Sequence, residues 1–135
     1  MEIRDLSKED LRVIERGLER YNEKYMPDGP DGSVQIGLYD GDNQFIGGVD
    51  AEMTVDTLLY VSTLYVKDEY RGRGAGTALM KEVERQAIEI GAEIIRLDSF
   101  SWEGVGFYET LGYEVIGAFE IRAGFKEYFY MKRLK

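Results

Sequence analysis

Between Leu11 and Tyr25 the apolar positions Leu11, Ile14, Leu18, Tyr21 and Tyr25 fall three or four residues apart. That spacing puts them on one face of a helix. Ser7, with Asp10 three residues on, resembles a capping box at its start. Ahead of it Met1–Leu6 reads as a short strand, and Met26–Gly32, rich in Pro, Gly and Asp, reads as a loop. The pattern then changes period. Val34–Tyr39 alternates, Asp40–Asn43 has turn composition, and Gln44–Val49 forms the second arm of a hairpin. Thr57–Val66 is almost wholly apolar and β-prone, as a central strand should be. From Gly76 to Ile90 helical spacing returns through Leu79, Met80, Val83, Ala87 and Ile90, opposed by Lys81, Glu82, Glu84, Arg85 and Glu89, with Gly91 as the stop. Glu93–Asp98 reads as a strand and Gly104–Leu111 as a short helix closed by Gly112. Tyr113–Ala118 and Glu127–Leu134 read as two final antiparallel strands. The expected order is β-α-β-β-β-α-β-α-β-β, a mixed α/β fold around one sheet, and 135 residues fit one domain over 1–135.

Composition narrows the chemistry. With no cysteine and no histidine the chain has no thiol nucleophile, no usual zinc ligand and no imidazole base, and no metal site is expected. Proton transfer is left to carboxylates, Tyr, Lys, backbone or water. A formal charge of −9 argues against binding nucleic acid and favours cationic partners, although acidity also serves solubility. No apolar run approaches the roughly 18–20 residues of a membrane span, and the opening residues lack the apolar core of a signal peptide. A cytoplasmic location is expected.

One segment carries binding chemistry by its form. A strand feeds Arg71-Gly-Arg-Gly-Ala-Gly-Thr77, and an amphipathic helix follows. Glycines let the backbone approach a ligand, and a helix N-terminus offers free N–H groups and partial positive charge, which suits a pyrophosphate. The spacing fits neither G-x-G-x-x-G nor the phosphate loop ending in Gly-Lys-Ser/Thr. A tight strand–helix turn would also explain the glycines. Further on, Phe107-Tyr-Glu-Thr-Leu-Gly-Tyr113 reads alone as helix, cap and strand with core aromatics, yet the Tyr108 phenol could protonate a departing thiolate.

Together these two elements resemble the GNAT superfamily of N-acetyltransferases. Arg71, Gly74 and Gly76 fit its Arg/Gln-x-x-Gly-x-Gly/Ala loop, Phe107–Tyr113 fits its later Phe-Tyr-x-x-x-Gly-Phe/Tyr segment, and Gly47-Gly48 agrees upstream. The resemblance implies a mixed, mostly antiparallel sheet flanked by helices and opened into a V between the Thr57–Val66 and Glu93–Asp98 strands, with acetyl-CoA as cosubstrate in the split. It implies that Leu64, Tyr65 and Val66 offer backbone groups to the pantetheine arm and polarise the thioester carbonyl. The amides of Arg71, Gly72, Arg73, Gly74, Ala75 and Gly76, with the Thr77 hydroxyl, would hold the pyrophosphate. Tyr108 would be the general acid, with Phe107 in the core. Many relatives carry an Asn ahead of that tyrosine; here Ser99 or Ser101 stands near its place, and Trp102 could wall the pocket. Asp50, Glu52, Asp56 and Tyr60 are candidates for the base, Glu52 foremost because it follows the Gln44–Val49 strand, with a water chain as the other route. The implied activity is direct acetyl transfer to a primary amine of a small molecule, peptide or protein. A non-catalytic acyl-CoA sensor or dimerisation module, or transfer of another acyl group, is the alternative. The acceptor would lie near Tyr21–Asp31 and Phe119–Lys126, and a cationic one would suit Asp28 and Asp31. Dimers are frequent among similar proteins, so a homodimer is compatible.

Overall fold

A computed structural model of the chain describes residues 1–26, 31–104 and 106–135. Helix α1 spans Lys8–Asn22. A three-stranded run follows: β1 Ser33–Tyr39, β2 Phe45–Val55 and β3 Leu58–Val66. After a 3-10 turn at Asp68–Tyr70 come α2 Ala75–Glu89, β4 Ile94–Phe100, α3 Phe107–Thr110, β5 Glu114–Arg122 and β6 Phe125–Arg133. The strands make one sheet in the order β1-β2-β3-β4-β6-β5. Every neighbouring pair is antiparallel except β3 and β4. The mixed α/β class agrees with the pattern in the sequence, and the mostly antiparallel sheet with what the resemblance implies.

The β1–β2 turn forms where its composition placed it. Asp40 Oδ1 accepts from the amides of Asp42 and Gln44 at 2.8 and 2.9 Å, and Asn43 takes the left-handed conformation at φ 62°. Strand β2 outruns the Gln44–Val49 reading by six residues, because Ala51 and Met53 keep pointing inward while Asp50 and Glu52 point out. Asp56, at φ 50°, is a turn residue between β2 and β3.

Helix α2 buries Leu79, Met80, Val83 and Ala87 against Val34, Val49, Ala51, Leu59, Val61, Ile95 and Leu97. Tyr108, Tyr113 and Tyr130 continue this core on the same side of the sheet. At its edge Lys132 Nζ donates to Glu84 Oε1 and to the Leu111 carbonyl, both at 2.7 Å, and Tyr113 donates to Glu84 Oε2 at 3.1 Å. This clasp ties the end of α3, the helix that carries Tyr108, to α2.

The N-terminal segment departs from expectation. Met1–Leu6 is not a strand, and Ile3 is fully exposed. Helix α1 forms with Ser7 as its cap, the hydroxyl accepting from Asp10 N at 3.0 Å, yet it buries no residue and Leu18 is 62% exposed. The pattern marks a face that needs a partner, and the chain's own sheet does not supply it. Most of the loop read at Met26–Gly32, including Asp28, lies outside the described residues, as does Val105 in the helix read at Gly104–Leu111; the described part of that helix begins at Phe107.

Candidate active site

Strands β3 and β4 pair only from Leu58↔Ile94 to Val61↔Leu97. Beyond that point β3 continues with β2 to Val66, while β4 continues with β6 to Phe100. The sheet therefore opens between its two middle strands. At the fork Asp50 pairs with Thr63 and Ala51 with Val61, so Ser62 is an extra residue on β3, and its hydroxyl donates to the Asp50 carbonyl at 3.1 Å. Such a bulge bends the strand and re-aims its backbone. Gly47, on β2, lies so close to the Tyr65 carbonyl that any side chain there would collide with it.

The fork opens into a cleft of about 780 Å³. One wall is the run from Val61 to Val66, the other is Leu97, Asp98 and Ser99, and the floor leads to Gly74, Ala75, Gly76 and Thr77 at the start of α2. Gly74 is the N-cap of α2 at φ 84°, a conformation that glycine adopts without strain. The first intrahelical bond runs from Ala78 N to Gly74 O at 3.0 Å, which leaves the amides of Ala75, Gly76 and Thr77 without helical acceptors. Those donors and the helix dipole face the cleft. Gly76 also seats Phe107: a Cβ there would stand 3.1 Å from its ring. Phe107 is half-buried and lines the cleft as well as packing.

Of the residues assigned to cofactor binding, Leu64, Tyr65, Val66, Arg71, Gly72, Gly74, Ala75, Gly76 and Thr77 line this cleft. Arg73 is exposed and does not. Arg71 works largely as a brace, its Nε donating to the Val66 carbonyl at 2.9 Å and its guanidinium pairing with Asp68 at 2.9 Å. Ser99 and Trp102 also face the cleft, whereas the Ser101 hydroxyl is occupied by Lys126 N at 3.3 Å. Trp102 stacks on Phe100 at 5.1 Å and meets Phe125 edge-on at 4.6 Å.

Tyr108 is 9% exposed, its ring held against Phe107, Tyr113 and Tyr130 at centroid distances of 5.1, 6.0 and 5.4 Å. Burial first, and the nearby Glu103 carboxylate second, push its phenol up to about 12. The phenol is therefore protonated at neutral pH, and Tyr108 lines the cleft.

On the cleft wall Asp98 is held by two side chains outside the lining, a group that the sequence reading did not assemble. The Tyr60 hydroxyl donates to Asp98 Oδ2 at 2.7 Å, and Arg96 pairs with Asp98 Oδ1 at 3.1 Å. Arg96 also donates to the Leu97 and Tyr130 carbonyls at 3.2 and 3.0 Å, which fixes the carboxylate's orientation. The hydrogen bond to Asp98 is the main cause that raises the Tyr60 phenol to about 12, followed by burial. Asp98 is thus a held carboxylate on the cleft wall. Glu52 sits one strand away, opposite Tyr60 in the β2–β3 register, exposed and outside the lining. Asp50 is exposed and accepts from Gln35 Nε2 at 3.0 Å. The signal for Asp98 was present in the alternation Ile94-Ile-Arg-Leu-Asp-Ser99, where Arg96 and Asp98 share one face of β4. Among the described residues no group of His, Cys, Asp and Glu has the arrangement of a metal site.

The acetyltransferase (GNAT) domain family matches residues 3–134. An acetyltransferase from Bacillus cereus superposes with a TM-score of 0.89 at 27% identity, over 98% of this chain and 97% of its own. An aminoglycoside 6'-N-acetyltransferase complexed with coenzyme A superposes at 0.69 over 76% of this chain and 73% of its own; at 17% identity it shares the fold. Among curated proteins, the thialysine N-epsilon-acetyltransferase of Sus scrofa is 39% identical over 56 residues. That match covers 40% of this chain and a third (33%) of the relative.

Proposed function

Because this chain belongs to the GNAT acetyltransferase family, we propose that it moves the acetyl group of acetyl-CoA directly onto a primary amine. The carrying observation is that one cleft joins three things: a free helix N-terminus, an unpaired strand edge and a buried, protonated phenol. The α2 amides and Thr77 suit a pyrophosphate. Residues 62–66 present backbone groups to an extended amide-bearing arm, and one of these amides polarises the thioester carbonyl. Tyr108 donates to the departing thiolate. With no thiol and no serine paired with a histidine in the chain, no protein nucleophile is invoked, and the amine attacks the thioester directly.

The acceptor must shed a proton, since an alkyl amine with pKa near 10.4 is mostly charged at neutral pH. We assign Asp98, on the cleft wall, to hold the incoming ammonium. Proton removal then runs through water, with Glu52 the next carboxylate on that face. An ε-amine acceptor, the group named for the Sus scrofa relative, is supported by that match and by the charge of −9. The test is release of free thiol from acetyl-CoA across a panel of lysine-like amines, polyamines and neutral amines. Acetyl-CoA binding without thiol release on any amine would replace this reading with that of a sensor.

A further inference from the structure

Among the described residues three charged side chains line the cleft: Arg71, Asp98 and Glu103. Two of them are compensated. Arg71, beside the turn into α2, is braced on the Val66 carbonyl and paired with Asp68, both at 2.9 Å. Asp98 pairs with Arg96 at 3.1 Å and accepts from the Tyr60 hydroxyl. Glu103, between β4 and α3, is held but not neutralised. Its Oε1 accepts from the Phe100 amide at 2.8 Å, and among the described residues no cation pairs with it.

Closing the turn does not require a charge, because the amide oxygen of a glutamine can also accept from Phe100 N. The charge of Glu103 reaches further: after burial, it is the second cause that pushes the Tyr108 phenol up. That influence opposes the chemistry, since a nearby carboxylate disfavours a thiolate forming at the same place. A thioester sulfur held by Tyr108 brings its acyl chain into this part of the cleft. Beyond the sulfur the chain meets Glu103 on the turn or Asp98 on β4, while the cation Arg71 is tied down beside α2. At an effective dielectric near 20, like charges about 6 Å apart shift an equilibrium about a hundredfold. Glu103 is exposed, and screening brings that to roughly tenfold.

We propose that Glu103 is a charge filter for the acyl group. It admits acetyl and other uncharged acyl chains and turns away chains that end in a carboxylate, such as malonyl or succinyl. The inference rests on the reading of the cleft and of Tyr108 given above, and adds to it a selectivity between acyl donors.

Butyryl-CoA and succinyl-CoA test it, because their chains are equal in length and differ in a terminal carboxylate. Their Kd ratio, from isothermal titration, and their kcat/KM ratio, from thiol release with one amine, remove the effect of size. The wild-type chain should favour butyryl-CoA by roughly tenfold or more. Glu103→Gln keeps an acceptor for the Phe100 amide and should bring the ratio close to one. Both donors are read in the same variant, so any change at Tyr108 cancels. A ratio that survives Glu103→Gln overturns the proposal; a raised KM for the amine in that variant would then assign Glu103 to the acceptor. A wild-type chain that rejects butyryl-CoA as firmly as succinyl-CoA also overturns it, since size alone would do the sorting. Salt needs no variant: higher ionic strength should narrow the wild-type ratio, and a ratio indifferent to salt would contradict a filter that works by charge. The two readings fail separately. No affinity for acetyl-CoA would remove the cleft and the filter together, whereas acetyl-CoA binding with equal affinity for the other two donors removes the filter alone.

Discussion

Replacing Tyr108 with Phe isolates a single hydroxyl. The ring contacts with Phe107, Tyr113 and Tyr130 remain, so the fold should persist. The size of the kinetic effect follows from the phenol's environment. Its pKa of about 12 lies well above that of a thiol, near 8.5. Complete proton transfer to a thiolate would thus be uphill by roughly 3–4 pK units, or about 5 kcal/mol. In the proposed role Tyr108 would act mainly as a hydrogen-bond donor to the developing charge, and such bonds contribute about 1.5–3 kcal/mol. Tyr108→Phe should lower kcat by roughly 10–150-fold with little change in acetyl-CoA affinity. Free thiol is a clean readout, because the protein has no cysteine to add background. An unchanged kcat would make Tyr108 a packing residue. A loss far beyond a thousandfold would refute the hydrogen-bond argument in favour of full proton transfer.

Gly74→Glu puts a carboxylate at the cap of α2, in open space facing the cleft, and should abolish the melting-temperature rise that saturating acetyl-CoA gives by mass action; a folded variant with the full shift would remove the pyrophosphate site. Gly76→Val drives a methyl into Phe107 and should cost about 1–3 kcal/mol, read as a lower urea midpoint at constant slope; an unmoved midpoint would show that Phe107 yields freely. Asp98→Asn should raise KM for a cationic amine by about tenfold or more while sparing the acetyl-CoA shift, and equal effects on neutral and charged amines would count against the assignment. Tyr60 and Tyr108 titrate near 12 in the folded chain and near 10 unfolded. Their stabilising contribution is therefore complete below about pH 10 and lost as pH rises toward about 12. Urea midpoints should fall across that window, less steeply in Tyr108→Phe; identical slopes would contradict the burial argument.

Much of this was legible in the residues. The Asp40–Asn43 turn, the central strand and the apolar face of α2 are local signals, and each is satisfied by neighbours within the same chain. The glycines at 74 and 76 could be read because a strand–helix turn admits few other side chains. Asp98 was harder: Arg96 is its neighbour on one face of β4, but Tyr60 reaches it only through the β3–β4 register, which joins residues far apart in sequence. The N-terminal arm failed for a different reason. Amphipathic spacing in Leu11–Tyr25 states that a surface must be covered and is silent on which molecule covers it.

The fork between β3 and β4 makes the sheet one strand short along half of its centre. Residues 62–66 form an edge, but an internal one, flanked by the core instead of sitting at the rim where proteins usually blunt such edges with charge or proline. An extended ligand bearing amides would complete the ladder as a visiting strand does in β-augmentation. A bound arm would then join the β1–β2–β3 and β4–β6–β5 halves a second time, beyond the four residue pairs from Leu58 to Val61 and the α2 side chains that join them already.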